Sequence, residues 1–327
     1  MMNNAPNRRC ALAAIASSAF MPEAWAQGSD RYPSRPIKII VTNAAGGASD
    51  MIARMIGTGL TAAMGQSVVV DPQPAANGMI ALSALAKAAP DGYTLLVTHS
   101  AVVINEVFQP SKAYQLNQLM PLAMAGTVAT AFAVHPSLGV NTIPEFVAKA
   151  RAMRGSMSFG SFGNGSTGHV LGEMFRRAGK FEMTHIAYKG ATPAVLDLIS
   201  GHVPSAWAGL QNFAPHIASG KLKVIGLAGK ERHPSYPDVP TFSESGFTEL
   251  VLPSLAGVMA PAGLPKSVSD RLIIEIGKIL RSPEFTAKLF ENAYHSTVLT
   301  GDAFGEYIKA DIRTWANVVK ANDIKVE

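Results

Sequence analysis

Two short loops of glycine and hydroxyl side chains hold most of the residues in this sequence that could do chemistry. Ser161-Phe-Gly-Asn-Gly-Ser-Thr-Gly-His169 combines closely spaced backbone N–H groups and hydroxyls with almost no bulk. A segment of that kind suits a small anion resting on a helix N-terminus. Asn43-Ala-Ala-Gly-Gly-Ala-Ser-Asp50 offers a second such turn early in the chain. The candidate ligand-binding set is Asn43, Ala45, Gly46, Gly47 and Asp50 from the first loop and Ser161, Asn164, Gly165, Ser166, Thr167 and His169 from the second. Ser100, Tyr188 and Trp207 are added from other strand ends. Two anion-cradling turns describe a cleft that binds from both sides.

Other chemistries fit poorly. Gly163-x-Gly165-x-x-Gly168 matches the dinucleotide fingerprint, but it lies in mid-chain and Asp197 stands too far on for the ribose-binding acid. A nucleophile elbow around Ser166 fails because Asn164 occupies a required glycine position. The 8 histidines lack metal-ligand spacing, and His169 is the one that falls within a candidate loop. It reads either as a capping or packing residue or as a ligand contact. Asp50 either caps the following helix or orients ligand. Lys189 either pairs with a carboxylate or is solvated. No nucleophile, base and orienting group converge, so the sequence carries no case for catalysis, a metal or a cofactor.

Composition narrows the class further. With 28 Lys and Arg against 23 Asp and Glu, the chain is mildly basic, with the charge spread along it. That pattern argues against nucleic acid and for attraction of a small anion. Arg8-Arg9, the apolar run from Cys10 to Met21 and Ala24-Trp25-Ala26 form a leader over residues 1–26, with cleavage expected before Gln27. The apolar run is shorter than the ~20 residues a spanning helix needs, and Arg8-Arg9 spoil a lipobox at Cys10. General export is expected, giving a mature protein without a thiol, since Cys10 is the only cysteine.

The elements that must position the loops alternate between strand and helix. The spacing predicts strands at Ile37–Val41, Ser67–Val70 and Thr94–Thr98, with helices over Asp50–Met64 and Met79–Lys87. After Pro121 the alternation restarts. Strands are expected at Ala131–Val134, Ser158–Phe162, Glu182–Tyr188, Val203–Trp207 and Leu222–Leu227, and Thr142-Ile-Pro-Glu145 forms a capping box. The first run argues for a parallel sheet covered by helices on both faces, and the second completes another α/β unit. The tail after residue 230 is strand-poor and is expected to return to the first unit. The result is two doubly wound α/β lobes joined by two crossings around a cleft. Lobe 1 takes residues 27–127 and 228–327, and lobe 2 takes residues 128–227.

Tyr32-Pro-Ser-Arg-Pro36, Gly46-Gly47 with Asp50, Ala89-Pro-Asp-Gly-Tyr-Thr-Leu-Leu96, Gly163-Asn-Gly-Ser166, Tyr188-Lys-Gly190 and Pro237-Asp-Val-Pro-Thr241 occur in that order. Together with Trp315-Ala-Asn-Val-Val-Lys320 and Ile324-Lys325, this set resembles the substrate-binding receptors of tripartite tricarboxylate transporters, the Bug receptors. The resemblance implies a type II periplasmic-binding-protein fold, a monomer in the periplasm, no catalytic activity and no cofactor. It implies a small organic anion as ligand, chiefly a carboxylate, passed to an integral-membrane transporter of one large and one small subunit. The ligand loops carried over by position are Ala44–Asp50 and Ser161–His169. Asn43 stands where the family often has an aromatic, and Ala45 where it has proline. Val203-Pro-Ser-Ala-Trp-Ala-Gly209 lacks the family's two aspartates there. Trp207 is left as either a wall of the pocket or a core residue. A sensory module for a signalling partner and an exported enzyme using the same cleft are the rival readings.

Overall fold

The computed structural model of the chain describes residues 32–43, 45–109, 111–322 and 324. The leader expected over residues 1–26, Cys10 included, lies outside them. The first unit opens with β1 (Ile37–Val41), which is flanked on both sides by parallel strands, β2 (Val68–Pro72) and β3 (Thr94–Thr98). Its Ile-Lys-Ile-Ile-Val run is almost wholly buried, as a strand covered on both faces requires. Helix α1 (Ala48–Met64) follows β1, burying Ile52, Ile56 and Leu60 on one stripe. It ends on Gly65 in the left-handed region, with φ at 71°. Helix α2 (Met79–Lys87) links β2 to β3.

Helix α3 (Ala101–Phe108) was not expected. Its Ala-Val-Val-Ile stretch reads as a continuation of β3, yet Ala101, Val102, Val103 and Ile104 are all buried in a helix closed in by its neighbours. β4 (Leu119–Val128) was not expected either, since the restart after Pro121 puts its first strand at Ala131–Val134. Pro121 sits inside it beside a bulge, where its missing N–H breaks no ladder bond.

The chain then passes from one sheet to the other across a single residue, Ala129, into β5 (Thr130–Val134). The second unit continues with α4 (Ile143–Ala152), β6 (Met157–Ser161), α5 (Thr167–Gly179), β7 (Met183–Ala187), α6 (Ala191–Ile199), β8 (Ser205–Gly209), α7 (Leu210–Ile217) and β9 (Lys223–Leu227). Thr142 caps α4 as its box predicts, its Oγ1 accepting the Glu145 N–H. The chain does not leave this sheet at Leu227. Residues 228–253 form a folded return stretch in which Leu227 bridges Thr241 and Phe242 N donates to Leu227 O. Within it the Thr241 Oγ1 accepts the Glu244 N–H beside the short turn Ser243–Ser245.

The return ends in β10 (Ser254–Pro261), followed by α8 (Lys266–Leu280), α9 (Pro283–Glu291), β11 (Tyr294–Thr300) and α10 (Asp302–Ala321). Among the described residues, one sheet has the order β11-β4-β10-β3-β1-β2 and the other β7-β6-β8-β5-β9. β1, β2 and β3 pair in parallel as the first run predicts, but neither sheet is parallel throughout. β10 runs antiparallel to both β3 and β4, and β5 antiparallel to both β8 and β9. The strands that carry the crossings impose this, because a strand arriving straight from the other sheet has no helix to turn it round. One buried apolar cluster runs from Ile40 and Leu96 through Leu255 and Phe242 to Phe132, Phe175 and Trp207. Among the described residues no helix is long and apolar enough to cross a membrane.

Candidate functional site

Both loops lie at the C-terminal ends of parallel strands, where successive backbone groups point outward and a helix begins. The second loop follows β6. Ser161 is fully buried, and its Oγ accepts the Gly163 N–H at 3.2 Å. Gly165 takes the left-handed region, with φ at 70°. Its N–H donates to His169 Nδ1 at 3.1 Å. Ser166 caps α5, its Oγ accepting from His169 N at 3.3 Å, while its own N–H goes to Gly163 O. The donor that the sequence suggested at Ser166 is therefore consumed inside the loop. The first two N–H groups of α5, on Thr167 and Gly168, have no intrahelical acceptor by the geometry of a helix start. No acidic residue stands in that first turn. A β-carbon on Gly168 would sit 3.0 Å from both Phe162 Cε1 and Trp207 Cβ, so glycine is what lets α5 approach β8.

His169 is buried and stacks on His185 of β7, with ring centroids 3.9 Å apart and planes 9° from parallel. His185 Nε2 in turn lies 2.7 Å from Ser161 Oγ. Burial lowers the pKa of His169 against the opposing charge of Glu173. Burial and the neighbouring His169 push His185 down to about 4. Both rings are neutral at pH 7, and the loop is held by uncharged groups.

The first loop differs in charge. Gly47 takes the cap position of α1 without a side-chain bond. The Asp50 carboxylate reaches back to accept the Gly46 N–H at 3.0 Å and pairs with Arg54 at 2.9 Å. Burial alone would raise the Asp50 pKa, but the bonds from Arg54 and Gly46 outweigh it and hold the carboxyl below its ordinary value. An ionised group thus already occupies the start of α1. That makes the first loop the weaker anion cradle of the two. Asn43, Ala45 and Gly46 are exposed. Asn43 Oδ1 accepts from Ser49 Oγ at 2.8 Å and from Thr42 Oγ1 at 3.1 Å.

Three candidates sit elsewhere than the sequence suggested. Trp207 is fully buried in β8, stacked on Phe242 at 5.0 Å and packed on Phe132 at 4.8 Å. Of the two readings left open for it, the core one holds. Flanked by Ala206 and Ala208, its ring falls on the face that meets the phenylalanine cluster. The Tyr188 hydroxyl turns to Asp197 of α6 at 2.7 Å. Ser100 caps no helix by side chain; its Oγ accepts from Leu255 N at 3.1 Å and ties β10 to the end of β3. Lys189 is exposed in the turn between β7 and α6. Sequence reasoning missed His99, His185 and Tyr294. His99 stands directly before Ser100 and contacts Ser49 and Tyr294, partners that no local spacing reveals. Among the described residues no group of three or more His, Cys, Asp or Glu is placed to hold a metal ion.

Two α/β sheets linked by one direct crossing and one folded return stretch, each presenting a glycine loop and the start of a helix at its strand ends, define a two-lobed solute-binding protein. The profile of the tripartite tricarboxylate transporter family receptor matches residues 52–324, and the chain belongs to that family. BugT of Bordetella pertussis is 32% identical over 302 residues, 91% of this chain and 93% of that protein. The solved periplasmic binding protein BugD superposes with a TM-score of 0.84 at 28% identity, covering 90% of this chain and 100% of the other. R. palustris Rpa4515, solved with adipate, gives a TM-score of 0.86 at 28% identity, with 90% and 99% covered. The family consists of receptors rather than enzymes, and the fold is that of periplasmic binding proteins.

Proposed function

We propose that the protein is exported and binds a small organic anion, a carboxylate, between its two lobes. It delivers that ligand to a membrane transporter of one large and one small subunit and acts as a monomer in the periplasm. The lobes are residues 27–127 with 228–327, and 128–227. Binding rests on the α5 N-terminus, where Thr167 and Gly168 leave two N–H donors beside neutral histidines and no competing acid. That arrangement supports a carboxylate on the second loop, with the first loop closing on the rest of the ligand. The likeness to an adipate-bound structure supports the same ligand class.

Thr167→Pro is the discriminating variant. Proline is well tolerated at the first helical position. Ser166, at φ −68° and ψ 160°, already has the backbone that a following proline demands. The substitution leaves the start of α5 intact while deleting the Thr167 N–H together with its hydroxyl. Calorimetry should show carboxylate affinity lower by about 1.5–3 kcal/mol, the worth of a hydrogen bond to a charged group. A folded Thr167→Pro variant that binds as the parent does would refute this site.

A further inference from the structure

Behind the first loop, four side chains from three distant parts of the chain form one directed series of hydrogen bonds. Tyr294 OH lies 2.6 Å from His99 Nε2, and His99 Nδ1 lies 2.5 Å from Ser49 Oγ. Ser49 Oγ lies 2.8 Å from Asn43 Oδ1. Tyr294 and Ser49 are buried, at 1% and 0% exposure, and Asn43 is exposed at the end of the series.

The direction of every bond follows from counting protons. The buried phenol has His99 Nε2 as its acceptor, so its O–H must be spent there or left unsatisfied. Nε2 is then the unprotonated nitrogen, and a neutral imidazole carries its proton on Nδ1. Burial keeps the ring neutral, lowering its pKa to about 4. Nδ1–H donates to Ser49 Oγ, so the serine proton goes to Asn43. An acceptor must stand there, which is Oδ1, and Thr42 Oγ1 donates to the same oxygen at 3.1 Å. A flipped amide would set its NH2 against two hydroxyl protons.

We propose that Tyr294, His99 and Ser49 are positioning residues that fix the Asn43 amide with its NH2 group outward. The first loop thereby selects a hydrogen-bond acceptor on the ligand, the second carboxylate of a dicarboxylate, and rejects an ammonium there. This inference rests on the receptor reading above and adds the chemistry of the ligand's far end. It is not trivial, because the Asp50 carboxylate in the same loop would by itself favour a cation. Its Oδ2 takes both the Gly46 N–H and Arg54 and its Oδ1 is buried, so the carboxylate is enclosed while the Asn43 amide is exposed.

The test pairs adipate with 6-aminohexanoate, equal in chain length but with an ammonium replacing one carboxylate. Calorimetry on the whole protein should give adipate at least about ten-fold tighter, the worth of one hydrogen bond to a charged group. Ser49→Ala and Tyr294→Phe, which cut the series at different points, should each reduce that ratio several-fold. Ser49→Thr, which keeps the hydroxyl, should restore it. Asn43→Asp, which turns the outward donor into an acceptor, should invert the preference. A merely structural role would weaken both ligands alike. Long-range nitrogen–proton NMR should find His99 protonated on Nδ1 in the free protein, independently of any ligand. A proton on Nε2 overturns the proton order, and an unchanged ratio in Ser49→Ala and Tyr294→Phe overturns the positioning role. Preference for 6-aminohexanoate in the parent would mean that Asp50 faces the ligand, and it overturns the proposal. A parent that binds neither compound, with Nδ1 protonated, defeats the carboxylate-receptor reading and the selection with it while leaving the hydrogen-bond series standing.

Discussion

Gly126 of β4 cannot carry a side chain. A β-carbon there would lie 2.2 Å from the backbone oxygen of His295, where β11 pairs antiparallel with β4. That obstacle is backbone, so no rotamer change relieves it, and the two strands would have to part beside the crossing into the second sheet. Gly126→Ala should destabilise the fold by more than about 2 kcal/mol, towards the upper end of overpacking costs, read as a lower urea midpoint. An unchanged midpoint would mean that the strands are not held together there. At this scale the sequence was legible where chemistry is local. The Gly46-Gly47 and Gly163–Ser166 turns and the cap at Thr142 could be read from neighbours a few positions apart, while Asp50 could be read as either a cap or a ligand contact and accepts the Gly46 N–H. It was illegible where partners are remote. His99 meets Tyr294 195 positions away, and His185 meets Ser161 24 positions away. Trp207 was ambiguous because a tryptophan in a strand serves equally as core or wall until the opposing face is known.

Among the elements, α5 and β7 are joined by the His169–His185 stack, and this joint should be sensitive to acid. His99 and His185 have pKa values lowered from 6.5 to about 4, and that of His169 is also lowered, each chiefly by burial. Above pH 7 the rings are neutral in both folded and unfolded chains. As the pH falls through about 6.5 the unfolded chain takes up protons that the folded one refuses, so stability is lost between about 6.5 and about 4 and levels off below. Each ring contributes at most about 1.4 kcal/mol per pH unit in that window. Urea midpoints across the window should fall less steeply in His185→Gln, whose amide is long enough to meet Ser161 where Nε2 stands but does not titrate. Equal slopes in variant and parent would remove His185 from the account. Element by element, most strands and helices were legible from periodicity. α3 was not, because β-branched residues directly after β3 prolong a strand pattern while tertiary enclosure makes them helical. The mixed strand directions escaped too, since direction depends on the route of the chain between sheets.

For the molecule as a whole, the direct passage across Ala129 and the folded return stretch between Leu227 and Ser254 are the two places where the sheets connect. A ligand of a few carbons that touches loops on both sheets requires them to approach one another. Saturating adipate should therefore lower the radius of gyration in solution scattering. A scattering curve that ligand leaves unaltered, alongside calorimetric binding, would count against closure. The two-unit organisation itself was legible, because the strand–helix alternation stops and restarts.

Trp207 and Trp315 are both fully buried, the first in β8 and the second on α10, which packs on α3 and β4. Neither indole N–H has a partner. The molecule therefore carries an optical probe beside each sheet. Both should emit at short wavelength in the native state and shift to the red only when their own surroundings admit water. In protein lacking residues 1–26, and so Trp25, replacing either by phenylalanine leaves a single tryptophan, and the order in which the two halves come apart becomes measurable by colour. Coincident transitions in the two variants would show that the apolar cluster running between the sheets makes them one cooperative unit. Separated transitions would show that the halves melt one at a time.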